Sequence, residues 1–347
     1  MNNTLINTAR LPLVAMLCFA IGIAGCVKPT TLHKLSGNAQ GTTYHISFWD
    51  KKKLDVKAIE HSITAELNRI DSQISNYRPD SAIEQFNATQ SEQELTVSPE
   101  IVHLIEQARA VSLASKGCYD LTIKPLFELW GFTQDALSIP SDAALQATRN
   151  HIGLNLLEQV NGNHLRKRKP TLRVDLSSIG QGYSVGQISA LLLRNGVTNF
   201  MVEIGGELQT QGQKPDGQPW RIALEKPISD ERTLHKIITI RRTAPLAIMT
   251  SGTYRHYFDD NGKRYSHILD GRTGKPITHT TVSVSVLHNN PTLADAWSTA
   301  LLCLGKAEGM EVANQAGIAA LFIEQQGTEF NEFSSESLNK LEQVEIK

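Results

Sequence analysis

Helical and strand periodicities are mixed along this chain without regular alternation, and that pattern constrains its fold more than any other feature. Ile59, Ile63, Leu67, Ile70 and Ile74 recur every three or four residues, so they form one apolar helical stripe and belong to the core. Gln40 to Trp49 is rich in β-branched and aromatic residues and reads as a strand. Pro79 ends the first helix, and Asp80 and Ser81 can cap the next. Ser98, Pro99 and Glu100 open a further helix that Gly117 follows. The aromatic, proline-containing stretch 118–132 reads as packed irregular structure, and a strand from Leu172 runs into a helix that reaches Asn195-Gly196. Strand signals dominate from Asn199 to about Val286; two helices split by Gly305 and a strand from Ile318 follow. Without strict βαβ alternation this is α+β, and no linker divides it.

The first 25 residues stand apart. Leu11 to Ile23 is uninterruptedly apolar after a single charged residue, Arg10, and about thirteen such residues are too few to span a bilayer. The segment has the form of an export signal. It ends in Ile23-Ala24-Gly25-Cys26, where small residues suit a signal peptidase and Cys26 offers a thiol for lipidation. The expected organisation is therefore a signal peptide over 1–25, a lipidated tether over 26–34 and one domain over 35–347. Losing Arg10 changes the formal charge from −1 to −2, so the body is nearly neutral. That balance gives no footprint for a nucleic-acid partner. The basic run Arg166-Lys-Arg-Lys169 reads as the cap of a solvated turn. Cys118 and Cys303 would remain; two cysteines give no framework spacing, and buried, unpaired thiols are the favoured reading.

Several segments carry the chemistry. Gly180, Gly182 and Gly186 are spaced G-x-G-x-x-x-G, one residue too long for the dinucleotide fingerprint, though glycines at a helix start could still let backbone approach a phosphate. Asp295 and Thr299 are four apart and share a helix face; with Ser178 they offer hard oxygen ligands suited to Mg²⁺, although for the pair alone helix capping is the favoured reading. Glu203-Ile-Gly-Gly-Glu207 is either a ligand-contacting strand edge or a hairpin. His267 stands three residues before Asp270 and could serve as a general base with that carboxylate nearby.

Together these segments resemble the ApbE family of FAD:protein FMN transferases. The resemblance rests on Gly41-Thr-Thr-Tyr44, Tyr77-Arg-Pro-Asp-Ser81, Tyr119-Asp-Leu-Thr122, Asp175-Leu-Ser-Ser-Ile-Gly-Gln-Gly-Tyr183, Gly205-Gly-Glu207, Thr250-Ser-Gly-Thr-Tyr-Arg255, His267-Ile-Leu-Asp270 and Ala294-Asp-Ala-Trp-Ser-Thr-Ala300. It implies an ApbE-like, T-fold-related single domain that cleaves FAD and passes FMN to a Thr or Ser hydroxyl of a partner protein, releasing AMP. It implies Mg²⁺ held by Asp295, Thr299 and Ser178, the last through its carbonyl. FAD contacts are implied at Gln40, Tyr77, Cys118, Tyr119, Asp120, Asp175, Gln181 and Leu269, with His267 as base and Asp270 as its orienter or a further metal-side carboxylate. Implied acceptors are subunits of membrane redox complexes of the sodium-pumping NADH:quinone oxidoreductase and Rnf types. A lipid anchor on Cys26, at the periplasmic side of the inner membrane, would place the enzyme beside them. Gln40, Gln181 and Gly271 depart from common family residues. An FAD-binding lipoprotein and an FAD pyrophosphatase are the competing functions.

Overall fold

A computed structural model describes Met1, residues 31–228 and residues 233–347. The signal segment, Cys26 and the first part of the tether lie outside the described residues. Among the described residues no helix is long and apolar enough to cross a membrane.

The chain opens with β1 (His33–Ala39) and β2 (Thr42–Trp49), followed by α1 (Val56–Ile74), α2 (Ala82–Ala88), β3 (Glu94–Thr96) and α3 (Pro99–Ala114). Next come α4 (Lys124–Trp130), α5 (Asp142–Arg149), β4 (Leu157–Asn161), β5 (His164–Lys167) and α6 (Ser177–Arg194). The strand-rich part holds β6 (Asn199–Ile204), β7 (Glu207–Gln211), β8 (Trp220–Glu225), β9 (Leu234–Ile240), β10 (Leu246–Gly252), β11 (Tyr257–Asp260) and β12 (Lys263–Ser266). Two short strands, β13 (Leu269–Asp270) and β14 (Lys275–Pro276), lead to β15 (Thr281–His288). The chain closes with α7 (Pro291–Ala316), β16 (Ala319–Gln326), β17 (Glu329–Ser334), α8 (Glu336–Asn339) and β18 (Val344–Ile346).

Eight strands form one sheet in the order β1-β2-β6-β7-β10-β15-β16-β17, and every neighbouring pair is antiparallel. Alternation along its strands separates two cores. Ala247 and Met249 of β10 face the helices, packing with Ile63, Ile70, Val185 and Leu301. Leu246 and Ile248 face the three-stranded sheet β18-β9-β8 and pack with Trp220, Ile222 and Ile238. This is the α+β architecture expected, with all five residues of the predicted α1 stripe buried. Ser81 caps α2 by accepting from Glu84 N, and Gly305, with φ +70°, breaks α7 where two helices are expected.

Four local readings are corrected. The stretch 118–132 contains α4, closed by Gly131 in the left-handed conformation, so it is not irregular throughout. Residues 172–176 form no strand; they run outside any ladder into α6, Asp175 N donating to Leu121 O at 2.7 Å. Lys167 does not cap a solvated turn: it is fully buried on β5, its ammonium over the Phe86 ring and donating to Phe86 O and Thr89 O at the end of α2. Carbonyls at a helix C-terminus lack their full set of intrahelical donors, and a cation there is favoured. Cys118 and Cys303 are not free thiols but a disulfide, with Cα atoms 6.0 Å apart. Their separation of 185 residues leaves no sequence signal, because only the docking of α7 on the 117–121 loop brings them together.

Candidate functional site

A cleft of about 740 Å³ opens where the hairpin β6–β7, the start of α6, α7, β8 and the 253–269 region meet. Of the residues expected at the site, Tyr77, Cys118, Tyr119, Asp120, Asp175, Ser178, Gln181, His267, Leu269, Asp295 and Thr299 all line it. Gln40 and Asp270 are not among the lining residues.

The floor is made by α6 against α7. Asn290 caps α7 by accepting from Leu293 N, Pro291 takes the first turn, and Asp295 then projects at α6. A Cβ at Gly182 would sit 2.4 Å from Pro291 O and 2.6 Å from Asp295 Cβ, so only glycine permits this approach. Gly182 and Gly186 are therefore the residues that let α6 pack closely on α7. The gain is one bond: Gly182 N–H donates to Asp295 Oδ2 at 2.8 Å. Its ordinary helical acceptor is the Ser178 carbonyl four residues back, so the Asp295 carboxyl competes with that oxygen for the donor.

One turn on, Thr299 Oγ1 and Ser298 Oγ lie 2.9 and 2.8 Å from Ser251 Oγ on β10. Glu207, at the start of β7, accepts from Thr250 N at 3.0 and 3.3 Å. Gly205 and Gly206 carry positive φ and form the two-residue turn between Ile204 and Glu207, which settles the glycine pair as a hairpin at the cleft edge. Glu207 was absent from the expected site, although it belongs to the Gly-Gly-Glu segment. Burial pushes the Asp295 carboxyl up to about 7, against the Gly182 N–H bond. Burial, and then the charge of Asp295, push Glu207 well above the usual carboxylate range. Two buried carboxyls facing one cleft, with no salt bridge to either among the described residues, create a demand for a proton or a cation.

The opposite wall is held by side chain–backbone clamps that sequence reading missed. Asn87 accepts from Val174 N at 2.7 Å and donates to Val174 O at 2.8 Å. Asn76 donates to Val174 O at 3.0 Å and accepts from Leu176 N. Asp175 is thus fixed between two clamps, and its carboxyl, raised by burial, accepts from Ser177 N at 2.9 Å. Asp120 accepts from Thr122 N and Leu154 N at 2.8 and 2.9 Å, so it orders the loop that also carries Tyr119. Tyr119 is buried, its hydroxyl 3.3 Å from Ser178 Oγ, while Tyr77 stands 84% exposed at the rim with its ring free to meet a ligand.

His267 Nδ1 lies 2.7 Å from His256 O. A carbonyl only accepts, so Nδ1 carries the proton and Nε2 keeps its lone pair. Burial pushes this imidazole down to about 4, which leaves it neutral near pH 7. The orienter expected was Asp270; instead it is the His256 carbonyl. Asp270 is taken by Arg272, which it meets through both oxygens and which also binds Glu308. Asp270 does lie close to Cys118 and Cys303, but their sulfurs are joined to each other and offer no thiolate to a metal. Gln40 sits in the β1–β2 turn with φ +54° and donates to Ser184 Oγ on α6, which places it behind the cleft wall. Gln181 does line the cleft, its amide packed against Gly205.

Comparison with known proteins gives the same picture. The ApbE family model matches residues 40–322. The FAD:protein FMN transferase of Vibrio cholerae is 39% identical over 318 residues, 91% of this chain and 94% of the relative. That of Escherichia coli K12 is 33% identical over 340 residues, 95% of this chain and 96% of the relative. Among solved structures, the flavin transferase ApbE of Vibrio cholerae aligns with a TM-score of 0.81 at 38% identity, covering 90% of this chain and all of that one. The apo flavinyl transferase ApbE of Pseudomonas stutzeri aligns at 0.82 and 34%, covering 90% and 97%. With more than half of its length inside the family model and most of it inside relatives above 30% identity, this chain belongs to the ApbE family.

Proposed function

We propose that this protein transfers FMN from FAD to a Thr or Ser hydroxyl of a partner protein and releases AMP. The observation that carries the reading is convergence: eleven expected residues dispersed from Tyr77 to Thr299 border one cleft, among them a neutral histidine and the buried Asp295 carboxyl, and Glu207 adds a second buried carboxyl without a salt bridge among the described residues. Tyr77 offers an aromatic face at the rim, and Tyr119 and the clamped Asp175 form the wall beside it. His267 Nε2, free to accept, takes the proton of the incoming hydroxyl as its oxygen bonds to the FMN phosphorus and the bond to the AMP phosphate breaks.

Mg²⁺ fits the donor set. Asp295, the Thr299 hydroxyl and the Ser178 carbonyl would hold it, all three being hard oxygens. Bound there, the ion would neutralise phosphate oxygens and the charge of the carboxylates. Lipidation at Cys26 and a position on the periplasmic face of the inner membrane extend the same proposal, supported by the Ile-Ala-Gly-Cys segment and by the membrane-embedded acceptors that the family resemblance implies.

The test is mass spectrometry of a threonine-bearing acceptor domain from an Nqr- or Rnf-type subunit, incubated with the protein, FAD and Mg²⁺. Addition of one FMN with release of AMP is expected. Free FMN and AMP with an unmodified acceptor would make the protein an FAD pyrophosphatase, and intact FAD would leave only a flavin-binding lipoprotein.

A further inference from the structure

The three-stranded sheet ends at β8, and the register shows which of its backbone groups point away from the sheet. Ile237 of β9 exchanges both backbone bonds with Lys347, N to O at 2.7 Å and O to N at 3.1 Å. In an antiparallel ladder successive residues face opposite neighbours. Ile238 and Ile240 therefore turn to β8, where they stand opposite Ile222 and Trp220. It follows that Arg221 and Ala223 direct their N–H and C=O groups outward, and among the described residues no backbone group pairs with them.

This edge faces the cleft. Ala223, Leu224 and Glu225 border it consecutively, yet side chains of a strand alternate between faces. Leu224 is buried in the second core, so the strand meets the cleft with its edge. Glu225 pairs with Arg255, which ties β8 to the turn whose next residue, His256, holds His267. An extended chain laid along β8 would thus lie beside the cleft that His267 also lines.

A row of outward donors and acceptors at two-residue spacing is matched by another main chain, not by a flavin. We propose that the outer edge of β8 is the docking strand for the flavin-accepting protein, which adds an extended segment there and so delivers its hydroxyl to the cleft. The inference rests on the transfer function proposed above.

The variant Ala223→Pro removes the outward donor and is compatible with an edge position. Loss of that one main-chain bond should raise the acceptor KM roughly three- to tenfold while kcat is held. Ala223→Val, which retains the N–H, should keep the wild-type KM. A cooperative melt of Ala223→Pro with an unchanged acceptor KM would overturn the proposal. Hydrogen exchange of the wild type gives a second reading that does not depend on the variant's folding. Saturation with the same acceptor domain, its target threonine replaced by alanine, should slow the amides of Arg221 and Ala223; unslowed exchange would equally overturn it. If the wild type fails to modify the acceptor at all, it is the transfer function that falls.

Discussion

Substituting Gly182 by alanine separates the two roles its glycine cluster could play. The new Cβ would lie 2.4 Å from Pro291 O and 2.6 Å from Asp295 Cβ, against the 3.4 Å at which ordinary contact begins. Both obstacles belong to the α7 backbone or its first side-chain atom, so neither can swing aside and the helices must part. Overpacking of this kind costs about 1–3 kcal/mol. Drawing Asp295 away from Gly182 N–H loses a bond to a carboxyl group worth about 1.5–3 kcal/mol. Alanine returns about 1 kcal/mol of helix propensity. The net loss is about 1.5–5 kcal/mol, or roughly 2–8 °C in Tm for a domain of this size.

Urea unfolding and calorimetry would measure it, with Mg²⁺ affinity by titration calorimetry as the functional readout. Two internal controls sharpen the result. At Gly186 the Cβ meets Pro291 Cγ at 3.0 Å, a tight contact with a ring; at Gly180 it meets Ile74 Cδ1 at 3.3 Å, the flexible tip of a side chain. The expected order of damage is therefore 182, then 186, with 180 within about 1 kcal/mol of wild type. A phosphate loop would instead make all three substitutions impair flavin binding with little effect on stability. That outcome, or a silent Gly182→Ala, would refute the packing explanation.

Raised carboxyl pKa values confer stability that is present below the unfolded pKa, near 4, and lost as pH rises through about 7. In EDTA the wild type should therefore lose urea resistance between pH 5 and 8 relative to Asp295→Asn, and Mg²⁺ should restore it; parallel pH slopes for the two proteins would contradict this. His267→Ala should lower kcat about 10²- to 10⁴-fold, and an NMR titration should find the His267 ring neutral above about pH 5; a midpoint near 6.5 would remove the burial argument. Replacing Cys118 and Cys303 together by serine opens a loop of 185 residues and should cost about 3–5 kcal/mol in urea unfolding. An unchanged midpoint would show that packing alone docks α7.

What was legible in the sequence were residues whose meaning is local or whose segments carry a family pattern. The α1 stripe, the Ser81 cap and the α7 break at Gly305 follow from spacing and backbone preference alone. Asp295 and Thr299 were weak as an isolated helical pair and became interpretable only beside the other segments. What failed were residues whose roles depend on a distant partner. Gly182 needs Pro291, Cys118 needs Cys303, Lys167 needs the end of α2, and His267 needs the carbonyl of a residue eleven positions earlier. Asp270 misled because proximity in sequence to His267 suggested a pair, whereas Arg272, two residues on, offers two charge-assisted bonds and wins.

The position of the cleft follows from the way the cores divide. Ala294 and Ala296, flanking Asp295, belong to the helical core; Leu208 and Leu224 belong to the core under the small sheet; Leu269 packs in a third cluster with Trp130 and Phe132. The reactive residues therefore stand on elements anchored in three separately packed bodies that meet at the cleft. Rigid packing within each body fixes its own residues, while the seam between them is where polar groups can stay unpaired until a ligand arrives. The Cys118–Cys303 disulfide lies within the helical core, where it joins the loop of Tyr119 and Asp120 to the helix of Asp295 and Thr299. That covalent tie holds the wall that carries Tyr119 to the floor that carries Asp295 without filling the space a flavin needs.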